Sequence, residues 1–302
     1  MNLLVTGAWR CTEAQLTNLR QLGHNVCFMQ NESDTLPVDP KWVEGMICNG
    51  IFLHHDIDLF ENLRLIQLTS AGFDRVPMER VHARKIQIFN ARGVYGIPMA
   101  EFAVSGVLQL YKQARAFTRQ QQTHSWVKQR GLLELWHKQV TIVGCGNIGQ
   151  ECAKRFAAFD CRVVGVDIFE AQLPNIEKMY HISQLREVLP QSDVVVLTLP
   201  LTEETKGLFS EETFACMKEG AILVNIARGG VVDTLALTKA LQTRLGGAVL
   251  DVFEQEPLDA DCPLWDMEHV LLTPHNSFVG DHNGERLYDV IFRNLSNQGD
   301  GI

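Results

Sequence analysis

The chain has 302 residues, 46% hydrophobic and 21% charged, which are the proportions of a globular protein long enough for two domains of ordinary size. A formal net charge of -9 without any run of Lys and Arg argues against a nucleic acid or an anionic membrane as partner, while a few local cations can still hold a small anionic substrate. Eight scattered cysteines form no C-x-x-C pair and no His/Cys cluster of zinc spacing, so buried free thiols in a reducing compartment are expected, and no metal.

The start, MNLLVTGAWR, lacks a basic region and a sustained apolar core, and no apolar run reaches the ~18 residues of a membrane span, so a cytoplasmic protein is expected. Asn2 to Thr6 reads as a strand. Thr12 to Leu22 reads as a helix, with Leu16, Leu19 and Leu22 on one spacing and Gly23 as its stop. Val26 to Met29, Gly45 to Cys48, Leu63 to Leu68 and Lys85 to Phe89 continue as short apolar strands. The stretches between them are long enough to cross back over a sheet, the pattern of a small parallel α/β domain. His54 and His55 are adjacent, so they point apart on a strand, and no nearby Cys completes a metal site.

Met99 to Gln122 reads as one long helix leading into a second half. There, strands are expected at Gln139 to Val143, Arg162 to Val166, Val194 to Leu199, Ala221 to Ala227, Ala248 to Asp251 and Val270 to Thr273. Six strands with helices between them are the count of a doubly wound dinucleotide-binding fold. A last helix, Glu285 to Leu295, is expected to return to the first domain.

The segment VTIVGCGNIGQECAKRF holds Gly144, Gly146 and Gly149 in a G-x-G-x-x-G pattern between a strand and a helix. The glycines allow a tight turn, approach of a pyrophosphate to the backbone, and close packing of helix on strand. The helix N-terminus offers backbone N–H groups to the phosphates. Asp167 ends the next strand, where a carboxylate accepts both ribose hydroxyls. With Ile168 and Phe169 as neighbours, no cation is present for a 2′-phosphate, so NAD is favoured over NADP. The bland alternative is a glycine-rich turn with an incidental acid.

Strands of a parallel sheet share a carboxyl edge, along which ligands bind. Arg228 in NIARGG follows the fourth strand of the second half, Glu256 lies just past the fifth, and His275 in LLTPHNSF lies just past the sixth. Singly, they read equally as a surface charge, a solvated carboxylate and a helix cap. Together they suit reduction of a 2-keto acid. A histidine gives the proton that accompanies hydride transfer. Glu256 stabilises the imidazolium and sets which ring nitrogen faces the substrate. Arg228 polarises the carbonyl and holds the substrate carboxylate in fork geometry.

The stretches SAGFDRVP (70–77), NARGVYGIPMAEF (90–102), VGCGNIG (143–149), LPLTEETKGLF (199–209), VNIARGGVVD (224–233), GAVLDVFEQEPL (247–258) and TPHNS (273–277) also carry a resemblance. In this order they resemble the D-isomer-specific 2-hydroxyacid dehydrogenase family over nearly the whole chain. The resemblance implies two doubly wound parallel-sheet α/β domains. One is a flavodoxin-like substrate-binding domain, 1–97 completed by 276–302, and the other a Rossmann NAD-binding domain, 98–275. It implies Arg228, Glu256 and His275 as the catalytic trio and Asp251 as holder of the nicotinamide carboxamide. Asn147 and Ile148 fall to the pyrophosphate, and Leu199, Ile226 and Ala227 to the cofactor cleft. The backbone of Ala71 and Gly72 falls to the substrate carboxylate, and a homodimer joined through the cofactor domain is expected. The chain departs from the family in its shorter tail after Asn283 and in the wording of GLLELWHKQV before the glycine loop.

Phe52, Tyr95 and Phe278 are aromatic positions suited to wall the substrate pocket and favour an apolar substituent, although Phe52 reads equally as core. Arg92 is either a hinge arginine in solvent or a second anion-binding group. The leading expectation is an NAD-dependent enzyme interconverting 2-keto and D-2-hydroxy acids. The alternatives are an NAD(H)-sensing corepressor-like protein of the same fold, and formate or phosphite oxidation. The corepressors of this type carry extended tails, and this chain is compact.

Overall fold

In the computed structural model, which describes residues 1–297, Leu3, Leu4 and Val5 are wholly buried in strand β1 (Asn2–Thr6). Burial on both faces is the signature of a central parallel strand. A capping box, in which Thr12 and Gln15 satisfy each other's backbone N–H groups, starts α1 (Glu13–Gln21). Then follow β2 (Asn25–Met29), β3 (Gly45–Cys48), β4 (Leu65–Leu68), α2 (Met78–Ala83) and β5 (Gln87–Phe89). The expected starts of β4 and β5 move two residues on; Lys85 itself takes a left-handed turn at φ 53°. The five strands are parallel in the order β2-β1-β3-β4-β5, a doubly wound sheet. Leu3, Val5, Ile47 and Leu65 pack on one face with Leu16 and Leu19. Leu4, Met46, Ile66 and Ile88 pack on the other with Val81.

The single helix expected from Met99 to Gln122 is two helices, α3 (Gly96–Tyr111) and α4 (Ala114–Gln122), broken where Gln113 takes φ 51°. No Gly or Pro marks the break. The buried face ends with Tyr111, α4 buries nothing, and the turn lets Arg115 donate to the Met267 carbonyl and Arg119 pair with Glu268. Next come β6 (Gln139–Val143), α5 (Asn147–Ala157), β7 (Arg162–Asp167), β8 (Lys178–His181), α6 (Leu185–Val188), β9 (Val194–Leu197), α7 (Glu211–Cys216), β10 (Ile222–Asn225), α8 (Thr234–Thr243), β11 (Gly247–Leu250) and β12 (Val270–Leu272). These form a seven-stranded parallel sheet in the order β12-β11-β10-β9-β6-β7-β8. The chain reverses direction across the sheet between β6 and β9, the switch point at which such sheets bind ligands. The seventh strand, β8, is an edge strand with no fully buried residue, so KMYH carries no apolar run to read.

Finally α9 (Asn283–Asn297) places Leu287, Ile291 and Leu295, four residues apart, in the same core as Leu3 and Ile47. Asn18 and Gln67 reach Tyr288 and Asn294 by hydrogen bonds of 2.8 Å each. The chain thus divides into one unit of Met1–Tyr95 with the residues from Gly280 onward, and another of Gly96–Val279. The second crossing falls after Val279 rather than after 275 because the 276–279 loop is hydrogen-bonded to Asp251. Among the described residues no helix is long and apolar enough to cross a membrane.

Candidate active site

The glycine loop opens at the carboxyl end of β6. Gly144 takes φ 93°, and a β-carbon on it would lie 2.6 Å from the Leu199 nitrogen just past β9; one on Gly149 would collide with the Gly144 carbonyl. Open space lies over Gly146, the N-cap of the 11-residue helix α5, on which Asn147 and Ile148 are the first two residues. That cradle has the shape and dipole direction a pyrophosphate needs. Asp167 ends β7 and accepts from the N–H groups of Cys145 (2.6 Å) and Ile168 (2.7 Å), one on each carboxylate oxygen. Each oxygen keeps a lone pair for a ribose hydroxyl. Beyond it, Ile168 and Phe169 stand exposed, as a flat apolar ligand would require. These residues fit a dinucleotide. Cys145, between the glycines, is buried, and burial beside Asp167 pushes its thiol up to about 12. The side chains of Leu199, Ile226 and Ala227 are buried, which leaves their backbone as the part available to a cofactor.

Arg228 leaves β10 half-buried, its Nη1 donating to the Ala227 carbonyl at 2.8 Å. Asn225, the last residue of β10 and 1% exposed, spans the bend: its Nδ2 donates to the Arg228 carbonyl and its Oδ1 accepts from the Ala227 N–H. Sequence reasoning passed over this asparagine. The signal was a polar residue at the end of an otherwise apolar strand. Gly229 lies so close to the Phe253–Glu254 backbone that any β-carbon would collide with it. The Phe253 N–H donates to Glu256 Oε1 at 3.1 Å, and Glu256 Oε2 accepts from His275 Nδ1 at 2.9 Å. Loops following three different strands are therefore linked in sequence from Arg228 to His275.

With a carboxylate on Nδ1, that nitrogen carries the hydrogen, and Nε2 is the atom left to exchange a proton. The His275 and Glu256 side chains are 44% and 38% exposed, so their attraction is screened and directs the ring more than it stabilises the fold. His275 itself takes φ 50°, a left-handed conformation costing ~1–2 kcal/mol in a residue with a β-carbon. The ring of Phe278 meets the imidazole edge-on, with centroids 6.1 Å apart. Asp251, at the end of β11, is fully buried, and its carboxylate oxygens are engaged by Thr273, Asn276 and Ser277.

In the other unit, Ala71 is exposed and Gly72 half-buried. Their carbonyls accept from Asn90 Nδ2 (2.7 Å) and Ser70 Oγ (3.0 Å), which shapes the loop after β4. The Tyr95 hydroxyl donates to the Thr69 carbonyl, and burial raises its pKa. Phe52 is half-buried and packs edge-on against Phe60 in the core, which favours the structural side of its two readings. Arg92 is exposed.

Comparison with known proteins identifies the family. Residues 104–277 match the family model described as D-isomer specific 2-hydroxyacid dehydrogenase, NAD binding domain. A glyoxylate reductase of Thermofilum pendens is 36% identical over 250 residues, covering 79% of this chain and 73% of that protein. The solved structure of a D-isomer specific 2-hydroxyacid dehydrogenase family protein from Aeromonas salmonicida superposes with a TM-score of 0.86 at 31% identity, covering 97% of this chain and 94% of that one. Another family member, from Xanthobacter autotrophicus and in complex with NADPH and MES, superposes at 0.81 with 26% identity, covering 100% and 97%. The chain belongs to the D-isomer specific 2-hydroxyacid dehydrogenase family, as an oxidoreductase of 2-hydroxy acids with NAD as its cofactor.

Proposed function

We propose that the protein interconverts a 2-keto acid and a D-2-hydroxy acid, with Arg228, Glu256 and His275 as its catalytic residues. The observation that carries this reading is the 2.9 Å bond from His275 Nδ1 to Glu256, which leaves Nε2 as the proton-exchanging atom. NAD, when bound, supplies or accepts the hydride. His275 gives its Nε2 proton to the developing alkoxide in reduction and takes it back in oxidation. Glu256 holds the ring in one tautomer and stabilises the imidazolium. Arg228 polarises the carbonyl and forks onto the carboxylate, in geometry a lysine does not reproduce.

Gly144, Gly146, Asn147, Ile148 and Gly149 are assigned to the pyrophosphate and Asp167 to the ribose, with the backbone of Leu199, Ile226 and Ala227 beside the cofactor. The backbone of Ala71 and Gly72 is assigned to the substrate carboxylate, with Tyr95 and Phe278 as aromatic neighbours. Glyoxylate is the first substrate to test, since the relative from Thermofilum pendens is named for it. A homodimer is proposed through the Gly96–Val279 unit, where Trp126 stands 97% exposed and an apolar groove of about 560 Å³ runs along α3 and α5 past Leu108 and Phe159. Light scattering at micromolar concentration should give twice the 34.0 kDa chain mass, and a strict monomer would remove this proposal.

The test of function is NADH oxidation across a panel of 2-keto acids, from glyoxylate through branched and aromatic to phosphorylated ones. Turnover of one class that disappears in His275→Ala is the expected result. Tight NADH binding without turnover anywhere would return the reading to a sensor of NAD(H).

A further inference from the structure

Asp167 has a polar neighbour on the next strand. β7 and β8 pair in parallel with Asp167 opposite His181, each the last residue of its strand. Register partners in a parallel sheet send their side chains to the same face, and neighbouring strands lie about 4.8 Å apart. The carboxylate and the imidazole therefore leave the sheet side by side at its carboxyl edge. Their face is the one beneath the glycine loop: two residues earlier, a β-carbon on Gly165 would collide with the sulfurs of Met179 and Cys145. His181 is half-buried on an edge strand, and its sequence context marks it only as a lone histidine.

Local hydrogen bonds fix the state of its ring. His181 caps the turn that follows β8, its Nδ1 accepting from the Ser183 N–H at 3.3 Å and lying 2.8 Å from Ser183 Oγ. Gln184 Oε1 accepts from the His181 N–H at 3.1 Å, which closes a capping box. A ring nitrogen that accepts carries no hydrogen, so the neutral imidazole keeps its hydrogen on Nε2. That is the opposite tautomer from His275, whose Nδ1 faces Glu256. None of these contacts uses Nε2 of His181, which stands as a donor beside an acceptor-only carboxylate.

A sugar hydroxyl is donor and acceptor at once. Asp167 can take its hydrogen, but the lone pairs of its oxygen need a donor. We propose that His181 is a second ribose-binding residue, its Nε2–H donating to the oxygen of a hydroxyl whose hydrogen Asp167 accepts. The proposal rests on the reading of Asp167 as the ribose-binding acid.

The test is calorimetric binding of NADH, ADP and 2′,3′-dideoxyadenosine diphosphate to full-length wild type, His181→Asn, His181→Gln and Asp167→Ala. Asparagine keeps a capping oxygen but places nothing where Nε2 stood, whereas glutamine places an amide N–H there and loses the cap. One hydrogen bond corresponds to about fivefold in Kd, so His181→Asn should weaken NADH and ADP by that factor with an unchanged urea midpoint. His181→Gln should bind both within about twofold of wild type even where its urea midpoint falls. A merely structural cap would give the reverse order. The dideoxy nucleotide, with no hydroxyl to share, should bind wild type and His181→Asn alike.

Equal weakening of ADP and the dideoxy nucleotide in His181→Asn would overturn the proposal in favour of an adenine contact. Unchanged ADP binding in His181→Asn, with Asp167→Ala weakened, would overturn it while leaving Asp167 its role. Unchanged ADP binding in Asp167→Ala would remove the ribose reading itself, and the shared hydroxyl with it.

Discussion

The proposed substrate role of Arg228 carries a quantitative prediction. Two charge-assisted hydrogen bonds of ~1.5–3 kcal/mol each to a carboxylate make Arg228→Ala worth a loss of at least ~100-fold in kcat/KM, with NADH binding nearly intact. Steady-state kinetics with a fluorescence titration of NADH would check this, and equal loss of both in a folded variant would refute the substrate role. Cys145 makes a prediction of the opposite kind. Its folded pKa, pushed up to about 12 by burial, exceeds the ordinary 9.0. The stability gained from the buried neutral thiol is therefore complete below pH ~9 and is lost as pH rises toward 12. At pH 8 the native thiol should resist iodoacetamide while the urea-unfolded chain reacts; rapid native labelling, read by peptide mass spectrometry, would contradict that. Asp167, Arg228, Glu256 and His275 were marked as candidates by glycine spacing and strand-end position. Asn225 was not, because its importance lies in two hydrogen bonds to its own loop.

Among the elements, the loops after β10 and β11 are packed directly against each other. Gly229 has no room for a β-carbon against the Phe253–Glu254 backbone. Gly229→Ala must push the two loops apart, costing ~1–3 kcal/mol in stability. Since Phe253 is tied to Glu256, kcat should fall further than the urea midpoint implies. An alanine variant with normal kcat would show the loops to be independent. The expected helix over Met99 to Gln122 shows the limit of local reading: its residues all favour helix, and the break at Gln113 follows from where the buried face of α3 ends. Edge strand β8 escaped notice for the converse reason, since half-exposed residues give no apolar run.

At the scale of the molecule, the last helix belongs to the unit that began the chain. Ile291 is wholly buried beside Leu3 and Ile47, and Ile291→Ala should cost ~2–5 kcal/mol in urea unfolding, although some 200 residues separate α9 from β5. A change below ~1 kcal/mol would mean that the helix is dispensable to that core. The sequence by itself determined the alternation of parallel strands and helices, the glycine cradle after β6, and the placing of Arg228, Glu256 and His275 beyond three successive strands. Strands buried on both faces are apolar runs, and phosphate loops have fixed spacing, so both are written locally. Only the tertiary structure decided that Phe52 turns into the core, that Gln113 breaks a helix, and that the carboxylate of Asp251 is engaged by the loop around His275. Each of these depends on groups brought together from distant parts of the chain, and no local pattern records which donor a buried oxygen will meet.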